Sequence, residues 1–207
     1  GIVVDGGNFD WIKNRKRQPL LNEPDQSYGG AVWTDAVPQL TGANIPFVIR
    51  LRVVLLRDTG APLAPFNAWQ IIQGLETVGL RMKQHCTNAE KVVTFLETQK
   101  KVTNVIYPTN HQGEIKERAL KYMKGGYGSL VGMDVGTKEN GAKFINNLKM
   151  LYHVANIGDA RSLAIHPATT THSQLNDKEL LAAGVTPGYV RLSIGIEHPD
   201  DIIADIK

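Results

Sequence analysis

Tyr189-Val190-Arg191-Leu192-Ser193-Ile194 alternates between two kinds of side chain and runs into Gly195. With a period of two, Val190, Leu192 and Ile194 share one face of a strand, while Arg191 and Ser193 point the other way. An arginine in the middle of a short strand needs a partner or a cavity, because a buried unpaired charge costs several kcal/mol. Its planar fork suits a carboxylate held by two hydrogen bonds. From the strand alone two readings stay open: a structural ion pair to Glu197, Asp159 or Asp205, or an anion-binding group.

Working back from this strand, elements of both kinds alternate. Strands are expected over 102–107, 128–135 and 162–165, and helices over 112–124, 138–148, 177–183 and 199–206. Pro199 followed by Asp200 and Asp201 makes a helix start, with proline in the first turn and carboxylates at the positive end of the dipole. Gly184 suits the end of the helix before it. Residues 98–207 are therefore expected to form an α+β domain.

Before that domain, Ile72, Leu75, Gly79, Met82, Cys86, Ala89, Val93 and Leu96 step by three or four and draw one apolar stripe along a helix over 65–97. Its length exceeds the usual globular range, and Gly74 and Gly79 are places for a bend. It is either a domain connector or a core helix. Residues 8–46 are rich in turn formers, among them Asn22, Pro24, Gly29, Gly30, Pro38 and Gly42. The apolar run 47–56 is left open between strand and helix. The opening Gly1-Ile2-Val3-Val4-Asp5-Gly6-Gly7 reads as a buried strand entering a turn, with no leader, and is expected to mark a fragment boundary inside a domain.

The 207 residues are 42% hydrophobic and 21% charged, ordinary values for a globular protein, with a net charge of only +3. The basic run Lys13-Asn14-Arg15-Lys16-Arg17 has no interleaved aromatics and reads as a solvated loop, not a nucleic-acid site. No apolar run approaches the roughly 20 residues that span a bilayer. Cys86 is the only cysteine, which gives no disulfide framework and fits a reducing, cytoplasmic setting. His166 and His172 stand six apart, a spacing that matches no standard metal motif, so no metal is expected. Gly125-Gly126-Tyr127-Gly128 is expected to open a strand. Asn156-Ile157-Gly158-Asp159-Ala160-Arg161-Ser162-Leu163 places small and polar residues in a turn that can bring N–H groups and an amide to a ligand.

Three stretches together carry a resemblance. They are Pro65-Phe66-Asn67-Ala68-Trp69 with Gln73-Gly74-Leu75-Glu76-Thr77 and Leu80-Arg81-Met82; Asn156 through Leu163 to His166-Pro167 and Thr170-Thr171-His172-Ser173-Gln174; and Arg191-Leu192-Ser193-Ile194-Gly195-Ile196-Glu197. With Val4-Asp5-Gly6-Gly7-Asn8-Phe9-Asp10-Trp11, they resemble the Cys/Met-metabolism family of pyridoxal-phosphate (PLP) enzymes over essentially the whole chain. The Asn156–Ala160 form, and Ala182-Ala183-Gly184-Val185-Thr186-Pro187, are similar to its O-acetylhomoserine sulfhydrylase branch. Cystathionine synthases and lyases usually carry Ser-Leu-Gly-Gly-x-Glu-Ser where this chain has Asn156–Ser162.

The resemblance implies an α/β protein of the aspartate-aminotransferase-like fold type I. Residues 1–64 would end an incomplete PLP-binding large domain, 65–97 would be the connecting helix, and 98–207 the smaller carboxy-terminal domain. It implies that Arg191 grips the substrate's α-carboxylate, helped by Asn156, and that the reaction replaces acetate of O-acetylhomoserine with sulfide to give homocysteine. The lysine that carries PLP would lie upstream of Gly1, so the fragment alone is expected to be inactive, completed by an amino-terminal half within a homotetramer. The alternatives are a cystathionine γ-synthase or γ-lyase of the same family, or a truncated, non-catalytic assembly partner.

Overall fold

A computed structural model describes residues 2–207. It falls into two compact units that divide within a helix, between Ile71 and Ile72.

The first unit is helical and has a small core. Its opening residues contradict the expected strand. Ile2, Val3 and Val4 are 91%, 54% and 85% exposed and form no strand, while Gly1 lies outside the described residues. An apolar run becomes a strand only beside another, and none of the described strands pairs with it. The turn-rich stretch that follows holds a short helix α1 (Pro19–Asn22) and a longer α2 (Trp33–Thr41), which ends at Gly42 with φ +71°. Trp33 and Val37, one turn apart, bury themselves with Leu21 against Trp11, Tyr28, Ile45 and Ile49. That burial offsets the backbone bond that Pro38 removes from the helix. Asn22 ties the unit together. Its amide donates to the Trp11 and Gln18 carbonyls, both at 3.0 Å, and its oxygen accepts from the Thr34 hydroxyl at 3.0 Å. The ambiguous run 47–56 is helical: α3 (Pro46–Arg50) continues through a π-helical stretch (Leu51–Leu56) into α4 (Arg57–Thr59). The Tyr28 hydroxyl donates to the Val53 carbonyl inside the π stretch at 2.5 Å.

The expected single helix over 65–97 is two helices, α5 (Pro65–Glu76) and α6 (Val78–Glu97). Thr77 interrupts them with φ −107° and ψ 4°. The break leaves the Gly74 carbonyl to the Arg81 guanidinium, which donates to it at 2.6 Å.

In the second unit α6 lies against a five-stranded sheet of order β1-β2-β5-β4-β3. The strands are β1 (Asn104–Ile106), β2 (Leu130–Asp134), β3 (Tyr152–His153), β4 (Leu163–Ile165) and β5 (Tyr189–Ser193). All neighbours are antiparallel except β3 and β4. β3 is only two residues long and carries no alternation that could announce it. The helices between strands are α7 (Gly113–Tyr122), α8 (Lys138–Asn147) and α9 (Asp177–Ala182), and α10 (Pro199–Ile206) follows the last strand. Gly184 takes φ +75° just after α9, and α10 begins at Pro199.

The core joins Ala89, Val92, Val93 and Leu96 of α6 to Val131 and Met133 of β2, to Val190, Leu192 and Ile194 along β5, and to Ile202 and Ile206 of α10. Burying one such side chain contributes about 1.5–3 kcal/mol. The alternation along β5 is therefore imposed by the core: Val190, Leu192 and Ile194 join the cluster shared with α6, and Arg191 and Ser193 face away, with Tyr189 packed on a separate cluster of Ala168, Leu180 and Val185. Asp205 closes the far end. Its carboxylate accepts the N–H groups of Lys149, Met150 and Leu151 at 2.8–3.0 Å. Burial alone would raise this carboxyl, but the three N–H groups outweigh it and hold it below the ordinary carboxylate range.

Candidate functional site

Arg191 sits at the centre of β5, paired with Gly132 of β2 on one side and Ile165 of β4 on the other. Gly132 leaves open the space beside the arginine that the Tyr189 ring enters; a Cβ there would stand 2.8 Å from that ring. Arg191 as a residue is half-buried, and its Nε is buried with no hydrogen-bond partner. Nη2 donates to the Asn156 carbonyl at 3.4 Å. Next along the strand, Ser193 Oγ accepts the Gly158 N–H, also at 3.4 Å. The two polar residues of β5 thus face the turn 156–158, where Gly158 takes φ +78°.

None of the three carboxylates that could have closed an ion pair is spent on Arg191. Glu197 accepts the Ser162 N–H at 2.7 Å and the Ser162 hydroxyl at 2.9 Å. Asp159 stands 3.6 Å from Arg161, whose guanidinium lies over the Tyr152 ring at 4.5 Å. Asp205 is occupied by backbone N–H groups, as described above. Among the described residues Arg191 forms no salt bridge. A guanidinium with a buried, unpaired Nε and only a long contact to a carbonyl keeps its capacity for an anion. Asn156 meets it through its main-chain oxygen, and its exposed side-chain amide makes no hydrogen bond among the described residues.

The other candidates have structural roles. His166 is fully buried, with Nε2 2.7 Å from the Pro187 carbonyl and Nδ1 3.0 Å from the Thr169 hydroxyl, so both ring nitrogens are engaged. His172 Nδ1 lies 2.8 Å from the adjacent Thr171 hydroxyl. No group of three or more His, Cys, Asp or Glu among the described residues could hold a metal. The basic run 13–17 is exposed, and Arg15 reaches Asp35 at 3.4 Å. The cluster Gly125–Gly128 leads into β2, and Gly126 packs so closely on Cys86 that a side chain there would collide with the sulfur. A cleft on the first unit, lined by Ile49, Arg52, Val53, Leu56 and Arg57, does not include Arg191.

Two residues escaped the sequence reading. His85 and Asn88, three apart on the buried face of α6, are 1% and 0% exposed. His85 Nδ1 lies 2.6 Å from the Ile194 carbonyl, and Asn88 donates to the carbonyls of Gly195 and Glu197 at 3.0 and 2.8 Å. Polar side chains interrupting an apolar stripe at helical spacing were the available signal; their partners lie 107 to 109 residues away and leave no local trace.

A covalent PLP site needs a lysine in a pocket, and no lysine among the described residues is buried.

Comparison with known proteins places the chain in a family. An O-acetyl-L-homoserine sulfhydrylase of Leptospira meyeri is 45% identical over 212 residues, an alignment that takes in 100% of this chain and 48% of the relative. A homocysteine synthase of Schizosaccharomyces pombe is 43% identical, over 99% of this chain and 47% of its own length. The chain thus spans about half the length of the curated relatives it matches. A Campylobacter jejuni crystal structure, described as an O-acetylhomoserine (thiol)-lyase with a pyridoxyl-lysine phosphate, is 41% identical and superposes with a TM-score of 0.79, covering 94% of this chain and 45% of that one. That likeness agrees with the α/β class expected from the sequence. Residues 1–207, the whole length given, match one family throughout, and the chain belongs to the Cys/Met-metabolism PLP-dependent enzymes.

Proposed function

We propose that this chain is the carboxy-terminal part of an O-acetylhomoserine sulfhydrylase. The reaction breaks the Cγ–O bond of O-acetyl-L-homoserine, releases acetate and forms a Cγ–S bond to sulfide, giving homocysteine. The observation that carries the reading is Arg191, whose buried Nε has no partner, which lacks a carboxylate partner among the described residues and which faces the Asn156 turn in a chain that aligns along its length with such enzymes.

PLP, when bound, withdraws electrons from the substrate's Cα, and the lysine that attaches it belongs to an upstream segment. The work of the present residues is binding and orientation. Arg191 takes the α-carboxylate in its fork and so fixes how the Cα–H bond stands to the cofactor plane. Asn156, at the mouth of the same turn, adds its exposed amide to that grip. β5 holds Arg191 rigidly because Val190 and Leu192 on either side are fully buried. The whole enzyme is a cytoplasmic homotetramer in this reading, and the exposed apolar face of α5 is available for contact with the rest of the assembly.

The test is a product assay of the whole enzyme with O-acetylhomoserine and either sulfide or cysteine. Homocysteine should form in large excess over cystathionine. Preferential formation of cystathionine would move the protein to a neighbouring branch of the family. The purified 207-residue chain, mixed with PLP and dialysed, should retain no visible cofactor absorption; a surviving band would contradict the upstream attachment.

A further inference from the structure

The turn that faces Arg191 is held very unequally at its two ends. At 156–158 the contacts to β5 are the two 3.4 Å hydrogen bonds from Arg191 and to Ser193, near the limit of such bonds. At 160–162 the chain is fastened closely. The Ile196 N–H donates to the Ala160 carbonyl at 2.9 Å and the Gly195 N–H to Ser162 Oγ at 2.8 Å. The Glu197 carboxylate takes both the N–H and the hydroxyl of Ser162. Gly195 has no room for a side chain: a Cβ there would overlap the Glu197 carboxylate and the backbone of Ala160 and Ser162.

The segment 194–197 is in turn fixed to α6. Asn88 donates to the Gly195 and Glu197 carbonyls, and His85 reaches the Ile194 carbonyl. A carbonyl only accepts, so His85 carries its proton on Nδ1, and its buried Nε2 has no partner. Helix, strand end and residues 160–162 form one continuous chain of hydrogen bonds that ends at Ala160 and Ser162, beside the 156–158 turn.

We propose that Glu197 is a positioning residue: through Ser162 it sets the place of the Asn156–Asp159 turn over Arg191, and His85 and Asn88 hold Glu197's own segment still. The inference rests on the reading of Arg191 as the carboxylate-binding group. Bonds of 2.7–2.9 Å to a carboxylate outweigh two bonds stretched to 3.4 Å, so the turn takes its register from the Ser162 end. Arg191 receives the turn and does not place it. A substrate carboxylate can then displace the Asn156 carbonyl from the guanidinium, or share the guanidinium with it, without the turn losing its position.

The test compares Glu197→Gln, Ser162→Ala, Arg191→Lys and the double variant Glu197→Gln/Arg191→Lys in the whole enzyme. Glu197→Gln keeps the volume but removes one of the two acceptors. Ser162→Ala removes the hydroxyl by a smaller change, and carries the test if the first variant does not fold. Each should raise the KM for O-acetylhomoserine about tenfold, with kcat within about threefold and cofactor absorption unchanged. The double variant should be no worse than Arg191→Lys alone, because both changes act on one contact. If Arg191→Lys raises KM while Glu197→Gln and Ser162→Ala leave it unchanged, or if the effects add independently, the positioning role is wrong and the reading of Arg191 stands. If kcat and cofactor absorption fall together in the Glu197 and Ser162 variants, their role is structural only. If Arg191→Lys leaves KM unchanged, the carboxylate reading fails and the positioning role with it.

Discussion

Helices α5 and α6 follow each other with one residue between them and carry the same apolar spacing, yet only one of them is buried. Seven residues of α6 are buried, from His85 to Leu96, and none of α5 is. Phe66, Trp69, Ile72 and Leu75 are 64%, 54%, 55% and 58% exposed, while Ala89, Val92 and Leu96 are nearly inaccessible. Periodicity marks a face that wants a partner; it does not say where the partner is. For α6 the partner is the sheet of its own unit. For α5 none of the described residues buries the face.

The sharpest way to break this contrast is to truncate one leucine in each helix. Leu96→Ala should lower the stability of the chain by about 2–5 kcal/mol, because the cavity it leaves is enclosed. Leu75→Ala should change stability by about 0.5 kcal/mol or less. Urea unfolding followed by circular dichroism measures both, and equal losses would mean that α5 is as well packed as α6.

A smaller loss is expected at the far end of the sheet unit. Asp205→Ala leaves three backbone N–H groups without their acceptor and should cost about 1–3 kcal/mol. The Asp205 carboxyl is held below its ordinary value, so its contribution is complete above the unfolded pKa of about 3.9 and fades as pH falls through the lower folded value. The urea midpoint of the wild-type chain should therefore fall more steeply below about pH 4 than that of Asp205→Ala. Parallel acid limbs would remove the carboxylate from the account.

The smallest effect on stability should come with a visible effect on the surface. Phe66→Ser with Trp69→Ser should reduce binding of a hydrophobic fluorescent dye to the isolated chain and leave its unfolding midpoint nearly unchanged. A lowered midpoint would place these aromatics in a core.

These contrasts also show how much the sequence could reveal. β5 was legible because Val190, Leu192 and Ile194 alternate with polar Arg191 and Ser193 along it. The helix start at Pro199 and the turn at Gly184 were legible because proline and glycine act locally. The break at Thr77 was not, since threonine is an ordinary helix residue and the departure is compensated by Arg81 reaching the Gly74 carbonyl. The helix over 33–41 was hidden by Pro38 and by turn formers on both sides. An opening strand was expected from Ile2-Val3-Val4, but apolar residues alone do not supply a ladder. At the candidate site Arg191 and the 156–163 turn stood out by composition, and the resemblance supplied their role. The links from His85, Asn88 and Glu197 were invisible because each joins positions far apart in the chain.

The most direct test of the central claim is kcat/KM of Arg191→Lys in the whole enzyme, with the cofactor absorption recorded on the same sample. Lysine keeps the charge and loses the two-pronged fork. Loss of about 2–5 kcal/mol of transition-state stabilisation, with the cofactor still bound, is the predicted result. A kcat/KM within about twofold of the wild type would contradict the carboxylate-binding role of Arg191.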